Sequence, residues 1–178
     1  MSVEDIPTGP KRKAPGVCYV FVEIPMGSKN KYEADKRGNI FLDRVLFSTE
    51  RYPGDYGFIP CTLYDDGDTL DCLVLVSEPN HPGVILPVRP VAVMRMIDEK
   101  GKDDKIIAVP DFKIDPRFDY IKDLNDIPKQ YLIEIRHFFE HMKELEPGKW
   151  VKVKGWGNST AAKAMIKKAM DKYKKSKP

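Results

Sequence analysis

The chain has few cysteines and no long hydrophobic run. Its three cysteines, Cys18, Cys61 and Cys72, are an odd number and lack C-x-x-C spacing. We therefore expect buried, reduced thiols in a cytoplasmic protein and no disulfide framework. No stretch approaches the length of a membrane-spanning helix, and residues 1–16 have no apolar run of the kind found in a secretory signal. We expect neither a signal peptide nor a membrane anchor.

A large excess of charge of one sign is also missing. The 30 basic and 27 acidic residues give a net charge of +3, so the total charge does not indicate a nucleic-acid or membrane surface. With 178 residues and 42% apolar content, the chain is long enough for one well-buried core. We expect a single domain over residues 1–178, with residues 1–15 as a loosely ordered amino-terminal arm.

Strand patterns occupy most of the chain as far as residue 109. Residues 17–24 form a nearly continuous apolar run with a carboxylate, Glu23, near its end. Residues 83–97 give further strand material, but Pro87 and Pro90 interrupt it. Because proline cannot donate to a sheet ladder, we expect this segment to follow a sheet edge or turn a corner.

Two helical patterns follow the strands. Asp126 is placed to cap the first helix, with Pro128 in its first turn, and Asn158 begins the second, which runs to residue 173. In the first, apolar residues recur at the spacing of a buried face: Tyr131, Ile135, Phe138, Met142 and Leu145. Many short strands before two helices predict a mainly β fold, a closed or partly closed barrel with flanking helices.

The most unusual stretch is an acidic loop before an apolar strand. Residues 65–71 contain four carboxylates and one glycine. Two like charges about 4 Å apart repel by about 4 kcal/mol at an effective dielectric of about 20, so such a cluster needs a cation or protons. Mg²⁺ is the first choice, because it binds one or two carboxylates while keeping water and phosphate ligands. The alternative is a plain turn, since Asp and Gly are ordinary turn residues.

Two further segments are candidates for the same site. Residues 98–105 form a second charged turn, whose acids are potential metal ligands and whose Lys105 is a potential phosphate partner. Residues 52–60 form a loop rich in aromatic residues, either a plug over the core or the wall of a pocket.

Two other functions are open at this point. His137, Glu140 and His141 spell H-x-x-E-H on a helix, a pattern found in a class of zinc peptidases; the simpler reading is a pair of surface or interface histidines. A barrel of this kind could also bind single-stranded nucleic acid, with Tyr52, Tyr56 and Phe58 stacking on bases and with Lys31 or Arg44 following phosphates. The acidic loop argues against that reading, because it would repel the same backbone.

The chain resembles the soluble family I inorganic pyrophosphatases from Val17 onward. Seven segments carry the resemblance in the family's order and approximate spacing: Glu23-Ile24-Pro25, Lys31-Tyr32-Glu33, Asp43-Arg44, residues 52–57, the signature at residues 66–71, residues 98–105 and residues 148–153. Within the signature, Thr69 stands where proline is common.

The resemblance implies a fold and an activity. It implies a five-stranded OB-like closed barrel with two α-helices that hydrolyses pyrophosphate to two phosphates. It further implies several Mg²⁺ ions per site, with Mn²⁺ or Zn²⁺ as substitutes, and a cytoplasmic homohexamer with neither nucleic acid nor membrane as partner.

The resemblance also assigns roles by position. It places Asp68 as the proton acceptor for the attacking water. The implied metal ligands are Asp66, Asp71, Asp98 and Asp103, with Glu23 and Glu33 holding water or a further ion. The implied phosphate contacts are Lys31, Arg44, Tyr56, Lys105 and Lys143. One departure is Met142, which stands where the family usually has a tyrosine before the lysine.

Overall fold

The computed structural model of the protein describes residues 2–177. Its strands are β1 Cys18–Ile24, β2 Asn30–Ala34, β3 Ile40–Val45, β4 Asp55–Ile59, β5 Leu70–Val74, β6 Ile85–Asp98, β7 Gly101–Lys102, β8 Lys105–Pro110 and β9 Val151–Asn158. Its helices are α1 Lys129–His141 and α2 Ser159–Ser176, with short 3₁₀ turns at Val3–Asp5, Pro116–Phe118 and Leu124–Asp126. Among these residues, no helix is both long and apolar enough to cross a membrane.

Five strands close into a ring in the order β1-β4-β5-β8-β6, because β6 pairs with β1. Neighbours in the ring are antiparallel except β5 and β8, which are parallel. The hairpin of β2 and β3 forms a separate two-stranded sheet. The predicted fold class, mainly β with a ring of five strands and two α-helices, is confirmed.

The long strand β6 lies inside the sheet, so of the two alternatives predicted for this segment the edge is wrong, whereas its change of partners along its length fits a strand that turns a corner. It pairs with β1, β7, β8 and β9. Pro87 and Pro90 are tolerated because β6 changes partners along its length. Residues 85–88 pair with β1, and residues 92–98 pair with β9. The register against β8 shifts between Pro90 and Ala92, which is where proline can leave the ladder.

Alternate residues of the ring strands face two apolar cores. On β5, Leu70 and Cys72 join a cluster with Ile166 of α2, whereas Leu73 joins a cluster with Phe138 of α1. This alternation follows from the two-residue side-chain period of a strand. Cys18 and Cys72 are buried as expected, while Cys61 is partly exposed, and all three thiols are free.

The first helix departs from its prediction at both ends. Helix α1 begins at Lys129 without a side-chain cap, because the Asp126 carboxylate instead accepts the backbone N–H groups of Lys122 and Asp123 in the preceding turn. The helix ends at His141, which leaves Leu145 beyond it and 62% exposed. The second helix agrees with its prediction, since Asn158 caps α2 through a bond from the Ala161 N–H.

The described part of the amino-terminal arm lies against the sheet. Ile6 is buried in a small cluster with Phe21 and Phe58, and the Tyr19 N–H donates to the Thr8 carbonyl at 2.8 Å. The looseness of this arm in solution stays a prediction, as does the single domain.

We expect that Gly57→Ala will cost about 3 kcal/mol or more of unfolding free energy, since overpacking costs about 1–3 kcal/mol and occasionally more. A Cβ at Gly57 would lie 1.9 Å from the Phe21 carbonyl oxygen, where β4 crosses β1. Gly83→Ala is the control: its φ of +92° strains alanine, but no atom lies within 4 Å, so we expect about 1–2 kcal/mol. Urea unfolding of both variants measures the difference, and equal losses would contradict this prediction.

Candidate active site

One cavity of about 950 Å³ gathers all twelve of the site residues selected from the sequence. These residues are Glu23, Lys31, Glu33, Arg44, Tyr56, Asp66, Asp68, Asp71, Asp98, Asp103, Lys105 and Lys143. They come from the ring strands, the β2–β3 hairpin, the acidic loop, the charged turn at residues 98–105 and the turn after α1. The structure therefore places them together, while their individual roles stay proposals.

A buried part of the cavity lining is an ion triad around Lys105. The parallel register of Cys72 with Ile106 sets Asp71 beside Lys105 on adjacent strands. The Lys105 Nζ donates to Asp71 Oδ2 and Asp103 Oδ1, each at 2.5 Å, and only 3% of the residue is exposed. Burial alone would lower the pKa of Lys105, but these two carboxylates outweigh it and raise the pKa above its ordinary value. Lys105 is thus a cation held among acids.

Tyr56 extends this triad. Its Oη donates to Asp71 Oδ2 at 2.8 Å. Burial, reinforced by the charge of Asp71, raises the pKa of Tyr56 well above its ordinary value. The phenol therefore stays protonated and acts as a hydrogen-bond donor toward the cavity.

A second lysine neutralises the acids on the opposite wall. The Lys143 Nζ lies 2.9 Å from Asp98 Oδ2 and 3.0 Å from Glu99 Oε2. Burial would raise the pKa of Asp98, but bonds from Lys143 and from the Lys100 N–H lower it overall. Asp98 is therefore ionised in this arrangement.

The β2–β3 hairpin supplies two cations that share one carboxylate. Lys31 and Arg44 are register partners. The Lys31 Nζ lies 3.1 Å from Asp43 Oδ2, and the Arg44 Nη1 also donates to Asp43 Oδ2. The Arg44 Nε donates to Glu146 Oε1 at 2.9 Å, so a residue 102 positions later in the sequence orients the guanidinium.

Glu23 is a largely buried carboxylate of the cavity with a strongly raised pKa. Its Oε1 accepts the Ala34 N–H at 2.7 Å. Burial raises the pKa of Glu23 to about 7; the Asp71 charge adds to that rise, while the Ala34 N–H opposes it. Near neutral pH this side chain therefore exchanges a proton readily.

The acidic loop is also a true turn. The Tyr64 N–H donates to the Asp68 carbonyl at 2.7 Å, and Gly67 has a φ of +95°. Asp66 Oδ1 accepts the Asp68 N–H at 3.0 Å. The Asp68 carboxylate accepts no hydrogen bond from residues 2–177 and is exposed to the cavity. The turn leaves one acceptor free to meet a ligand.

The donor chemistry of the cavity fits a hard divalent cation, because it consists of carboxylate oxygens. Nine acidic side chains line it against seven basic ones, an excess of two negative charges. No group of three or more His, Cys, Asp or Glu side chains within residues 2–177 is arranged to hold an ion. The reason is local: Lys105 occupies Asp71 and Asp103, and Lys143 occupies Asp98. A bound cation would therefore take the place of these ammonium groups.

Sequence reasoning missed the acids that position the basic residues. Asp43 lay within a recognised motif but was given no role, and Glu99 lay beside the selected Asp98. Glu146 is buried and holds both Arg44 and Lys149. The sequence shows only a Glu after the helical pattern; its burial and its partner Arg44, 102 residues away, depend on the fold.

The Met142 side chain lines the cavity beside Lys143. It is 8% exposed and packs into the core with Phe138 and Tyr52. Its thioether offers no O–H donor to an anion, so this wall of the cavity is apolar.

The zinc-peptidase reading is not supported. The His137 and His141 rings lie 4.3 Å apart, but each Nδ1 faces its own acid, Glu50 for His137 and Glu144 for His141. Glu140 is occupied elsewhere, accepting the Val153 N–H and a bond from Arg136. The motif therefore ties α1 to β9.

The nucleic-acid reading is not supported either. The three aromatics proposed to stack on bases are buried: Tyr52 is 2% exposed, Phe58 8% and Tyr56 9%. Tyr52 packs against Tyr56 and Phe138 in the core. Buried rings leave no face open to a base.

Comparison with known proteins gives a consistent result. The inorganic pyrophosphatase family model matches residues 20–174. An inorganic pyrophosphatase from Saccharolobus solfataricus is 52% identical over 167 residues, which covers 93% of this chain and 97% of the relative. One from Aquifex pyrophilus is 49% identical over 176 residues, 98% of each chain.

A solved structure agrees with the sequence relatives. The crystal structure of inorganic pyrophosphatase from Thermus thermophilus matches with a TM-score of 0.92 at 48% identity, covering 98% of this chain and 99% of that one. Sequence, ring topology and the shared cavity thus lead to one conclusion: the chain belongs to the inorganic pyrophosphatase family.

Proposed function

We propose that this protein hydrolyses inorganic pyrophosphate to two phosphates. The observation that carries the proposal is the convergence of acidic loop, charged turn and basic hairpin on one cavity, in a chain of this family. Enzymes of the family depend on metal ions. A diphosphate is strongly anionic, so a cavity with an excess of carboxylates needs added cations before it can hold that substrate.

Four aspartates are the proposed metal ligands: Asp66, Asp71, Asp98 and Asp103. Glu23 and Glu33, on the same cavity wall, would hold water or a further ion. Divalent cations, when bound, lower the pKa of water and neutralise the attacking and leaving oxygens of a phosphoryl transfer. We assign Mg²⁺, several ions per site, as the working metal, with Mn²⁺ or Zn²⁺ as substitutes.

The basic side chains and one phenol are the proposed phosphate contacts: Lys31, Arg44, Tyr56, Lys105 and Lys143. Arg44 offers a planar fork of donors that matches a phosphoryl group. Tyr56 stays protonated and donates. With metal ions on the aspartates, Lys105 and Lys143 would be free to donate to phosphoryl oxygens. In this exchange each lysine would trade one anionic partner for another.

Asp68 is the proposed proton acceptor for the attacking water. Its carboxylate accepts no bond from the described residues 2–177, whereas Asp71, Asp98 and Asp103 are each paired with a lysine. A free, exposed carboxylate beside the cavity can take a proton from water without breaking an ion pair. Asp68 is therefore distinguished from its neighbours by its lack of partners.

The remaining assignments belong to the same proposal. We assign a single domain, a cytoplasmic location and a homohexamer, with neither nucleic acid nor membrane as partner. The mixed balance of acids and bases, 30 basic against 27 acidic, is in keeping with a freely diffusing enzyme.

The direct test is phosphate release from pyrophosphate with and without MgCl₂, with a nucleoside triphosphate as substrate control. We expect rapid release that needs the metal and disappears with EDTA. Metal-independent release, or no release from pyrophosphate under any metal, would refute the proposal.

We expect Asp68→Asn to lower turnover by about 10²–10⁴-fold, the usual contribution of a general base. Because Asp68 is exposed, its unfolding free energy should change by no more than about 0.5 kcal/mol. Asp171→Asn is the control, an exposed carboxylate on α2 paired with Lys167, and should retain full turnover. Initial rates across a pH series with urea unfolding measure both; near-normal turnover of Asp68→Asn would remove Asp68 from this role.

Glu23 should make stability depend on pH in the metal-free protein. Because its folded pKa of about 7 exceeds the ordinary 4.5, the unfolded chain ionises first, and stability falls as pH rises from about 4.5 to about 7. The loss attributable to Glu23 is at most about 3 kcal/mol. Glu23→Gln should remove this loss, because the amide oxygen can still accept the Ala34 N–H.

Urea unfolding in EDTA at several pH values measures the Glu23 effect as the difference between wild type and variant. Glu78→Gln is the control, since Glu78 is exposed and does not line the cavity. A wild-type-minus-Glu23→Gln difference that does not change with pH would contradict the prediction.

A further inference from the structure

A second cavity, of about 330 Å³, lies between α2 and the start of the acidic loop. One face of α2 forms its wall, with Ala161, Met165, Lys168 and Lys172 at steps of four, three and four residues. Ala164 and Ala169 widen it, because a methyl side chain leaves room above the helix. Its volume falls at the lower end of the range for small-molecule sites, about 300–1,000 Å³.

The charge of this cavity is opposite to that of the first. Four basic side chains line it, Arg95, Lys102, Lys168 and Lys172, against two acids. One of the acids, Asp104, is already bonded to the Tyr64 Oη at 2.9 Å and the Met96 N–H at 3.0 Å. The cavity therefore has an excess of two positive charges.

Two of these cations have no acidic partner. Among residues 2–177, Arg95 and Lys102 form no ion pair, and Arg95 is exposed on the central strand β6. The guanidinium of an arginine whose backbone lies in a strand can bind a phosphate group through two parallel hydrogen bonds.

The other two cations hold the acidic loop. The Lys172 Nζ donates to the Tyr64 carbonyl at 2.9 Å and lies 3.4 Å from Asp65 Oδ1. The Lys168 Nζ lies 3.7 Å from Asp65 Oδ2. Asp65 directly precedes Asp66, and Lys102 lines both cavities. An anion that took these lysines from Asp65 would release one end of the loop that carries Asp66 and Asp68.

We propose that this second cavity binds a small organic phosphate. Arg95, Lys168 and Lys172 hold the phosphate, and its uncharged body packs on Met165 and Ala164. The bound phosphate competes with the Asp65 carboxylate for Lys168 and Lys172. This binding does not depend on hydrolysis in the first cavity, but it changes the anchoring of the acidic loop.

Isothermal titration of the intact protein with AMP tests the binding. We expect AMP to bind and uncharged adenosine not to bind. Arg95→Ala should weaken the affinity for AMP at least about tenfold, because a hydrogen bond to a charged group is lost. Lys168→Ala is a second variant should the first not fold. Arg117→Ala, an exposed arginine paired with Asp115 outside both cavities, is the matched control and should bind AMP as wild type does.

Four results would overturn the proposal. The first is absence of AMP binding at millimolar concentration, and the second is equal AMP affinity in wild type and in both cavity variants. The third is loss of AMP binding in Lys31→Ala together with unchanged binding in Arg95→Ala, and the fourth is inorganic phosphate that binds in this cavity as tightly as AMP. The third would place AMP in the first cavity, and the fourth would remove the role of the organic body.

The coupling to the acidic loop has its own measurement. With saturating AMP, the Mg²⁺ concentration for half-maximal turnover should rise by about fivefold or more, at the lower end of ordinary coupling between sites, and Arg95→Ala should abolish the rise. This arm rests on the proposed hydrolysis, whereas the titration does not. An unchanged Mg²⁺ requirement with AMP bound would refute the coupling.

Discussion

Repulsion among carboxylates that share one cavity is the constraint on which the rest of the site depends. Acids about 4 Å apart repel by about 4 kcal/mol at an effective dielectric of about 20, and Asp71 and Asp103 each lie 2.5 Å from the same Lys105 Nζ. Lys105 and Lys143 reduce that repulsion, because each forms ion pairs with acids that line the cavity. The same lysines are the natural partners of an anionic substrate. In the proposed assignment, the cations that would bind substrate are held in place by the carboxylates that would bind metal, and the two ligands are therefore expected to bind cooperatively.

Strand register, more than loop chemistry, sets this arrangement. Because β5 and β8 run parallel with Cys72 opposite Ile106, Asp71 and Lys105 emerge side by side at the same end of the ring. A slip by one residue would turn Asp71 into the core and bring Cys72 to the cavity. The tight crossing at Gly57 secures the neighbouring strand. The buried apolar faces of the ring strands thus specify the position of every charge above them.

The sequence was sufficient for local features and for those carried by ordered motifs. The acidic loop, the charged turn and the start of α2 depend on residues close together in the chain, and each was predicted at its place. Features that depend on distant contacts were not. The partner of Arg44 is Glu146, 102 residues away, and the prolines of β6 suggested an edge because its four partner strands cannot be inferred from its own residues. Asp126 failed as a cap because an earlier turn used the same carboxylate.

The separate β2–β3 hairpin has a mechanical consequence. Within residues 2–177 it shares no strand pairing with the ring, and side-chain bonds such as Ala34 to Glu23 and Arg44 to Glu146 join the two parts. Lys31 and Arg44 therefore lie on the hairpin, whereas the four proposed metal ligands lie on the ring and its loops. A rigid-body movement of the hairpin relative to the ring would narrow or widen the cavity without disturbing the packed core of the ring.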